Sequence, residues 1–165
     1  MRIHAVAASV FAATLLATSI VSSGAWAQTS LRNLPAEGFK YLSAKDVDAL
    51  TDKPGPGAHT AFPVDHENYY VEYAQRSDQG NEPEVHTHWT HYIHVLSGEA
   101  TLIYGGTVSN AKETSPGQIR GSAIVGGTTM TVRTGDFLQI PAGMPHEFLP
   151  GAGVKFHYVV FNTRV

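Results

Sequence analysis

Three of the nine histidines of this chain fall within six residues, because positions 86–91 read HTHWTH. On a β-strand, residues i and i+2 point to the same face and lie about 6.5–7 Å apart. His86 and His88 are therefore predicted to project together, close enough for two imidazoles to converge on one metal ion at about 2.0–2.1 Å per bond. The alternative is a pair of surface histidines on an edge strand. His91 begins the next segment and shares a face with Ile93 and Val95 by period-2 counting.

Another histidine, His146, follows a rigid turn at the end of the segment 135–146, which reads GDFLQIPAGMPH. Proline fixes its own φ angle and glycine permits a tight reversal of the chain. The pattern predicts a strand that ends in a turn around Pro141 and Gly143. That turn is expected to aim His146 back across the fold.

Other polar residues are assigned by the same alternation of faces. His94 is predicted on the outer face of its strand, and His157 remains ambiguous between a cavity position and an outer one. His59 and His66 are expected at the surface. Alternation also predicts the faces of two acidic residues and of three apolar ones: Glu72 and Glu147 outward, and Tyr69, Val71 and Tyr73 toward the core or a cavity.

The elements that must position these histidines are short strands rich in Tyr, Val, Ile, Phe and Thr, separated by turn residues. The predicted strands are Tyr69–Gln75, Glu84–His88, Tyr92–Leu96, Ala100–Tyr104, Thr128–Val132, Phe137–Ile140, Glu147–Leu149 and Val154–Phe161. Eight short strands with almost no helix predict an all-β sandwich or barrel. Residues 105–127 are rich in Gly, Ser and Thr and are predicted to form a long loop over one mouth of the barrel.

The chain is divided at three predicted boundaries. Residues 1–27 are interpreted as a signal peptide, residues 28–68 as an N-terminal lead-in, and residues 69–165 as the barrel domain. Within the lead-in, Ser43 is predicted to cap a short helix over residues 44–50, which the Pro/Gly linker at 52–57 terminates.

Composition excludes several classes of protein. A length of 165 residues supports one domain with a hydrophobic core. With no cysteine, disulfides, iron–sulfur clusters, thiolate zinc sites and a cysteine nucleophile are ruled out. The formal net charge of −3, without a Lys/Arg cluster, argues against nucleic acid as a partner.

The N-terminus has the three parts of an export signal. Arg2 precedes an apolar run from Ala5 to Val21, and the segment 25–27 reads AWA, an Ala-x-Ala cleavage site. The alternative is an uncleaved membrane anchor, but the run is marginal in length for a span. We expect an exported protein, periplasmic or extracellular, with no membrane attachment after cleavage.

The two histidine segments together resemble the motifs of the cupin superfamily. The second cupin motif has the form G-x5-P-x-G-x2-H, which Gly135, Pro141, Gly143 and His146 match position for position. The first has the form H-x-H-x3,4-E-x6-G, to which we assign His86, His88 and Gly98. His91 then stands where Glu is usual, and the spacing from His88 to His91 is shorter than the usual pattern.

The resemblance implies a single jelly-roll barrel whose aligned histidines hold a divalent transition metal. On this basis the predicted ligands are His86, His88, His91 and His146, with His91 alternatively beside the metal rather than bound to it. Copper or iron is favoured, and zinc, nickel or manganese is also compatible with the family. No catalytic residue is assigned.

Three functions follow from the resemblance. The first is an oxygen-activating oxidoreductase that acts on a small molecule or a carbohydrate. The second is a non-redox lyase, isomerase or cyclase, in which the metal polarises a carbonyl group. The third is a module that binds a metal or small ligand without turnover. Fold alone decides among none of them.

The signal sequence predicts that the mature protein begins at Gln28. The intact mass of protein recovered from the exported fraction should correspond to residues 28–165. A mass that includes residues 1–27 would contradict the prediction.

A homodimer is also predicted, because small jelly rolls leave strand edges and one sheet face exposed. Tyr70, Tyr92 and His94 are expected on that face. Light scattering should give twice the mass of the chain at micromolar concentration, whereas a monomer would refute the prediction.

Overall fold

The computed structural model describes residues 38–52, 58–79 and 81–165. The signal peptide predicted at 1–27 and most of the Pro/Gly linker lie outside this part of the chain. Within it, no helix has the length and apolar character needed to cross a membrane. The elements are α1 Ala44–Thr51, β1 Ala58–Asp65, β2 Tyr69–Arg76, β3 Glu84–His86, β4 Trp89–Ser97, β5 Glu99–Tyr104, β6 Thr107–Ser109, β7 Lys112–Ser115, β8 Gln118–Arg120, β9 Ala123–Val125, β10 Thr128–Arg133, β11 Phe137–Ile140, β12 His146–Pro150 and β13 Phe156–Arg164.

Two antiparallel sheets enclose one core, which confirms the predicted all-β jelly roll. The five-stranded sheet has the order β1-β2-β13-β4-β11, and the six-stranded sheet has the order β10-β5-β12-β3-β8-β7. Strands β6 and β9 form a separate two-stranded ribbon. All eight predicted strands overlap a strand of the structure. The short helix is confirmed as well, because the Ser43 side chain and Asp46 form a reciprocal capping box at its start.

Alternation along the central strands builds the interior. On β4 the side chains of His91, Ile93 and Val95 are buried, whereas His94 on the opposite face is exposed, as predicted. One end of the interior is filled by three aromatic rings, those of Phe148, Phe156 and Tyr158, whose centroids lie 5.2–5.4 Å apart. This aromatic cluster forms an apolar floor beneath the histidines.

The sheet begins earlier than the strand pattern predicted. Residues 58–65, assigned to the lead-in, form β1, which pairs with β2 at the edge of the five-stranded sheet. The register of this pair shifts between Ala61 and Val64, on either side of Pro63. Proline donates no ladder hydrogen bond, so an edge strand with an irregularity is where a sheet tolerates it.

The predicted 105–127 loop is also corrected, because this segment contains four strands, β6 to β9. Each has three or four residues, none of them buried, so alternation of buried and exposed residues does not mark these strands. Strand β8 forms because it pairs with β3, and β7 then pairs with β8. Pairing with the barrel, rather than local sequence preference, makes β7 and β8 part of the six-stranded sheet, whereas β6 and β9 pair with each other.

Two motif glycines meet at the floor of the barrel. Gly98 and Gly135 both have a positive φ, of 81° and 91°, and the backbone N–H of Thr134 donates to the Gly98 carbonyl at 3.1 Å. A Cβ at Gly98 would lie 2.5 Å from the carbonyl oxygen of Lys155, whereas a Cβ at Gly135 would meet nothing within 4 Å. Gly98 is therefore required both for its left-handed backbone conformation and because a side chain would collide with Lys155, whereas Gly135 is required only for its conformation.

The two glycines predict different losses of stability. Gly135→Ala should lower the free energy of unfolding by about 1 kcal/mol, the cost of a left-handed conformation. Gly98→Ala should lower it by about 2–4 kcal/mol, because backbone crowding adds to the same strain. Urea unfolding of both variants measures the difference, and equal losses would show that the contact with Lys155 is relieved without cost.

Candidate metal centre

Three histidines meet between the two sheets. His86 ends β3, His91 lies on β4 and His146 begins β12. One nitrogen from each ring lies within 4.8 Å of the others, and the ring centroids are 4.6–5.5 Å apart. Imidazole nitrogens at this spacing surround a point from which one transition-metal ion reaches all three.

The Pro/Gly turn before His146 is tied to both neighbouring strands. The backbone N–H of Gly143 donates to the His86 carbonyl at 3.0 Å, and that of Ala142 donates to the Thr90 hydroxyl at 3.3 Å. The turn therefore fixes the start of β12 against the end of β3 and the start of β4. The prediction that this turn aims His146 across the barrel is confirmed by its position in the cluster.

Hydrogen bonds orient two of the rings. His91 Nδ1 donates to Asn162 Oδ1, and His146 Nδ1 donates to the Met144 carbonyl at 3.0 Å. The lone pair of each ring is therefore on Nε2. Metal-binding histidines are held in this way by an acceptor on the far nitrogen. His91 Nε2 is buried and has no hydrogen-bond partner among the described residues, which is the environment of a nitrogen that binds a metal.

Burial keeps these two imidazoles neutral. Burial, together with the neighbouring rings of His146 and His86, lowers the pKa of His91 to about 3. Burial likewise lowers the pKa of His146 to about 4, against an opposing effect of Glu84. Because a metal binds the neutral form, protons compete little for the site at pH 7.

The carboxylate of Glu84 lies beside the histidines and is a further candidate donor, which the sequence did not predict. Its Oε2 lies 3.3 Å from His86 Nε2 and 3.8 Å from His146 Nε2. Its Oε1 accepts a hydrogen bond of 2.7 Å from Arg76 Nη2. Burial alone would raise the pKa of this carboxyl, but Arg76 and the hydrogen bond with His86 hold it well below its usual range. Glu84 is therefore an anion with one oxygen directed at the histidines.

His88 does not join the cluster, which corrects the prediction that it projects together with His86. Strand β3 ends at His86, and positions 87 and 88 form a turn, so the alternation of faces stops there. The His88 side chain is exposed, and a Cβ placed on Gly117 would lie 2.5 Å from its Cδ2. Its ring thus lies over the β7–β8 turn, away from the other three.

The short spacing before His91 was the signal for the correct register. Moving the first motif two residues toward the N-terminus gives Glu84-x-His86-x4-His91-x6-Gly98. The spacing then fits the H-x-H-x3,4-E-x6-G pattern, with glutamate and histidine exchanged between its first and third positions. The donor types are retained although their places differ.

The histidines and Glu84 lie in a cavity of about 600 Å³. Tyr70, Glu72 and Arg76 of β2 line it, so this strand has the opposite phase from the one predicted. Alternation predicted the face with Glu72 and Arg76 outward because it carries the charged residues of β2. In the structure this face turns to the cavity, where Arg76 pairs with Glu84. Burial raises the pKa of Glu72. His157 lies outside the cavity, with Nε2 2.8 Å from Gln75 Oε1.

Comparisons with known proteins identify the fold. No family model and no curated protein matches the sequence. Among solved structures, a protein with a double-stranded β-helix domain from Klebsiella pneumoniae matches 76% of this chain and 90% of its own, with 16% identity and a TM-score of 0.56.

Two further structures are similar. A polyketide cyclase from Streptomyces resistomycificus has 22% identity and a TM-score of 0.52, with 77% of this chain and 82% of its own covered. A conserved protein of unknown function from Streptococcus pyogenes has 11% identity and a TM-score of 0.53, with coverage of 80% and 96%. At these identities the comparisons establish the fold.

The cluster predicts which substitutions weaken metal binding. His91→Ala should lower the affinity for Zn²⁺ by at least about 100-fold and Glu84→Gln by about 10-fold or more, since losing a donor costs at least as much as losing an orienting partner. His88→Ala is the matched control and should bind Zn²⁺ like the wild type. Competition against a chromophoric chelator measures all three. Weaker binding in His88→Ala with unchanged binding in His91→Ala would contradict the assignment.

Proposed function

Because the chain has the double-stranded β-helix fold of the cupin superfamily, we propose that it is a metal-dependent enzyme acting on a small molecule. The observation that carries the proposal is the cluster itself. Three imidazole nitrogens converge at a cavity large enough for a small substrate, and a Glu84 oxygen lies beside two of them. His91 Nε2 has no hydrogen-bond partner among the described residues.

The donor set narrows the choice of metal. In the cupin-like motif His91 stands where glutamate is usual, so the ligands predicted from the sequence were four histidines without a carboxylate. Glu84 brings a carboxylate oxygen beside the histidines, so the set combines imidazoles with one hard anionic donor. Imidazole suits Cu, Zn, Fe and Ni, and carboxylate suits harder ions such as Mn²⁺. Iron accepts both donor types and is redox-active, so we place it before copper.

The residues of the chain prepare this site for a substrate. A bound metal would supply a Lewis acid and, for iron or copper, a redox centre. Arg76 holds Glu84 in position, and its Nε also donates to the Tyr158 hydroxyl at 2.9 Å. Glu72 lies on the wall of the same cavity as a carboxyl whose raised pKa suits it to hold a proton.

Two classes of reaction fit this site, and we place oxidation first. The first is oxidation by an oxygen-activating Fe or Cu centre, acting on a small molecule or carbohydrate outside the cytoplasm. The second is a non-redox cyclisation or related carbonyl reaction, which the likeness to a polyketide cyclase favours. Fold likeness at this identity does not transfer that activity, so experiment must separate the two.

The test begins with metal content. The full chain, produced with its own N-terminus and without a His-tag, should carry about one equivalent of iron or copper when purified from the exported fraction. Absence of any transition metal, together with no uptake of Fe²⁺, Cu²⁺ or Zn²⁺ in solution, would overturn the proposal.

Oxygen uptake then separates the reaction classes. With a panel of phenolic, enolic and sugar substrates, an oxidoreductase should consume oxygen in a reaction that His91→Ala abolishes and His88→Ala leaves intact. Turnover without oxygen consumption would replace the first class by the second. Stoichiometric metal without turnover of any substrate would identify a binding module and contradict the enzymatic proposal.

A further inference from the structure

A second arginine faces the same cavity without a carboxylate at hydrogen-bond distance among the described residues. Arg120 lies on β8, lines the cavity, and keeps 28% of its side chain exposed. Its Nη1 donates to the carbonyl of the preceding residue, Ile119, at 3.0 Å. Its Nη2 lies 3.8 Å from Glu84 Oε1, which is beyond hydrogen-bond distance.

Glu84 already has a better partner. Arg76 Nη2 lies 2.7 Å from the same Oε1. Arg76 is therefore the residue that holds Glu84, and the two side chains are equally buried, each with 12% exposure. Arg120 keeps N–H groups free at the wall of the cavity, near the histidine cluster.

The charges around the cavity favour an anion. The basic and acidic side chains among the described residues of its wall, besides the histidines, are two arginines and three acids: Arg76, Arg120, Asp65, Glu72 and Glu84. With a divalent metal at the histidines, the positive charges exceed the negative ones even if all three acids are ionised. A guanidinium beside a metal is suited to a carboxylate or enolate, because its planar N–H groups bind two oxygens at once.

The wall also has an aromatic part. Phe62, Tyr70 and Trp89 line the cavity, with Phe62–Tyr70 and Tyr70–Trp89 centroid distances of 5.8 and 4.8 Å. These three residues come from β1, β2 and β4 of the five-stranded sheet, whereas Arg120 comes from the six-stranded sheet. The cavity thus offers both a cation and an aromatic surface.

We propose that the substrate is a small organic anion, a carboxylate or an enolate, and that Arg120 is the residue that binds its negative oxygens. This inference rests on the proposed function, which supplies the premise that a substrate enters the cavity. Arg120 would bind that substrate and would take no part in the reaction itself. The aromatic residues make an acid with a ring a suitable probe.

The test compares two ligands that differ in charge. Benzoate and benzamide have the same ring and nearly the same shape, and calorimetric titration of the Zn²⁺-loaded protein measures the binding of each without turnover. Benzoate should bind at least about tenfold more tightly than benzamide. Arg120→Gln should weaken benzoate binding by about tenfold or more and leave benzamide binding unchanged, since a hydrogen bond to a charged group is worth about 1.5–3 kcal/mol. The affinity of Arg120→Lys for benzoate should lie between those of the wild type and Arg120→Gln.

Arg133→Gln is the matched control. Arg133 is an exposed arginine that pairs with Glu99 outside the cavity, so its replacement removes the same charge without touching the site. Benzoate binding in this variant should equal that of the wild type. The Zn²⁺ content of every variant should remain at one equivalent, because none of the substituted residues is a metal donor.

The possible failures are distinguishable. Stoichiometric Zn²⁺ with equal binding of benzoate in wild type and Arg120→Gln, or no benzoate binding in either, would overturn this inference and leave the metal site standing. If the wild type takes up no metal, the proposed function fails, and the titration is made on the metal-free protein. There, benzoate binding that depends on Arg120 would still support the assignment of Arg120, and its absence would overturn it.

Discussion

The candidate site depends on the ion pair between Arg76 and Glu84. Burying an ionised carboxylate costs several kcal/mol of desolvation per ion unless other groups compensate for it. Here the two oxygens of the Glu84 carboxylate have different partners. Oε1 pairs with Arg76, and Oε2 faces His86 and His146. Arg76 is itself fixed by the Tyr158 hydroxyl. The negative charge of Glu84 is thereby held beside the histidines, where a bound metal ion would compensate for it further.

The closure of the two sheets around this pair brings the donors together. His91 belongs to the five-stranded sheet, whereas Glu84, His86 and His146 belong to the six-stranded sheet. No single hairpin carries the whole site, so it exists only when the sheets face each other. The aromatic floor of Phe148, Phe156 and Tyr158 sets their separation, and the ring of His146 lies 6.4 Å from that of Phe148. The packing of the core therefore also fixes the distances between the candidate metal donors.

Much of the fold and part of the site could be predicted from local patterns. Alternation along β4 correctly placed His91 inward and His94 outward, because that strand has a clear apolar face and a polar one. The same rule failed on β2, where the face that carries Glu72 and Arg76 turns to the cavity, and at His88, where the strand had already ended. Glu84 was overlooked because a glutamate near a strand end is usually solvated, and only Arg76, eight residues away on another strand, makes it a buried anion.

The sequence by itself determined the all-β fold, the capped helix, and the inward direction of His91 and His146, because these follow from side-chain periodicity, turn residues and capping within short segments. The tertiary structure decided which acid joins the histidines, that β1 and β8 belong to the sheets, and that Arg120 faces the cavity. Each of these depends on contacts between different strands: Glu84 with Arg76, β1 with β2, and β8 with β3. Burial, charge compensation and strand pairing are properties of that assembly, so no local pattern encodes them.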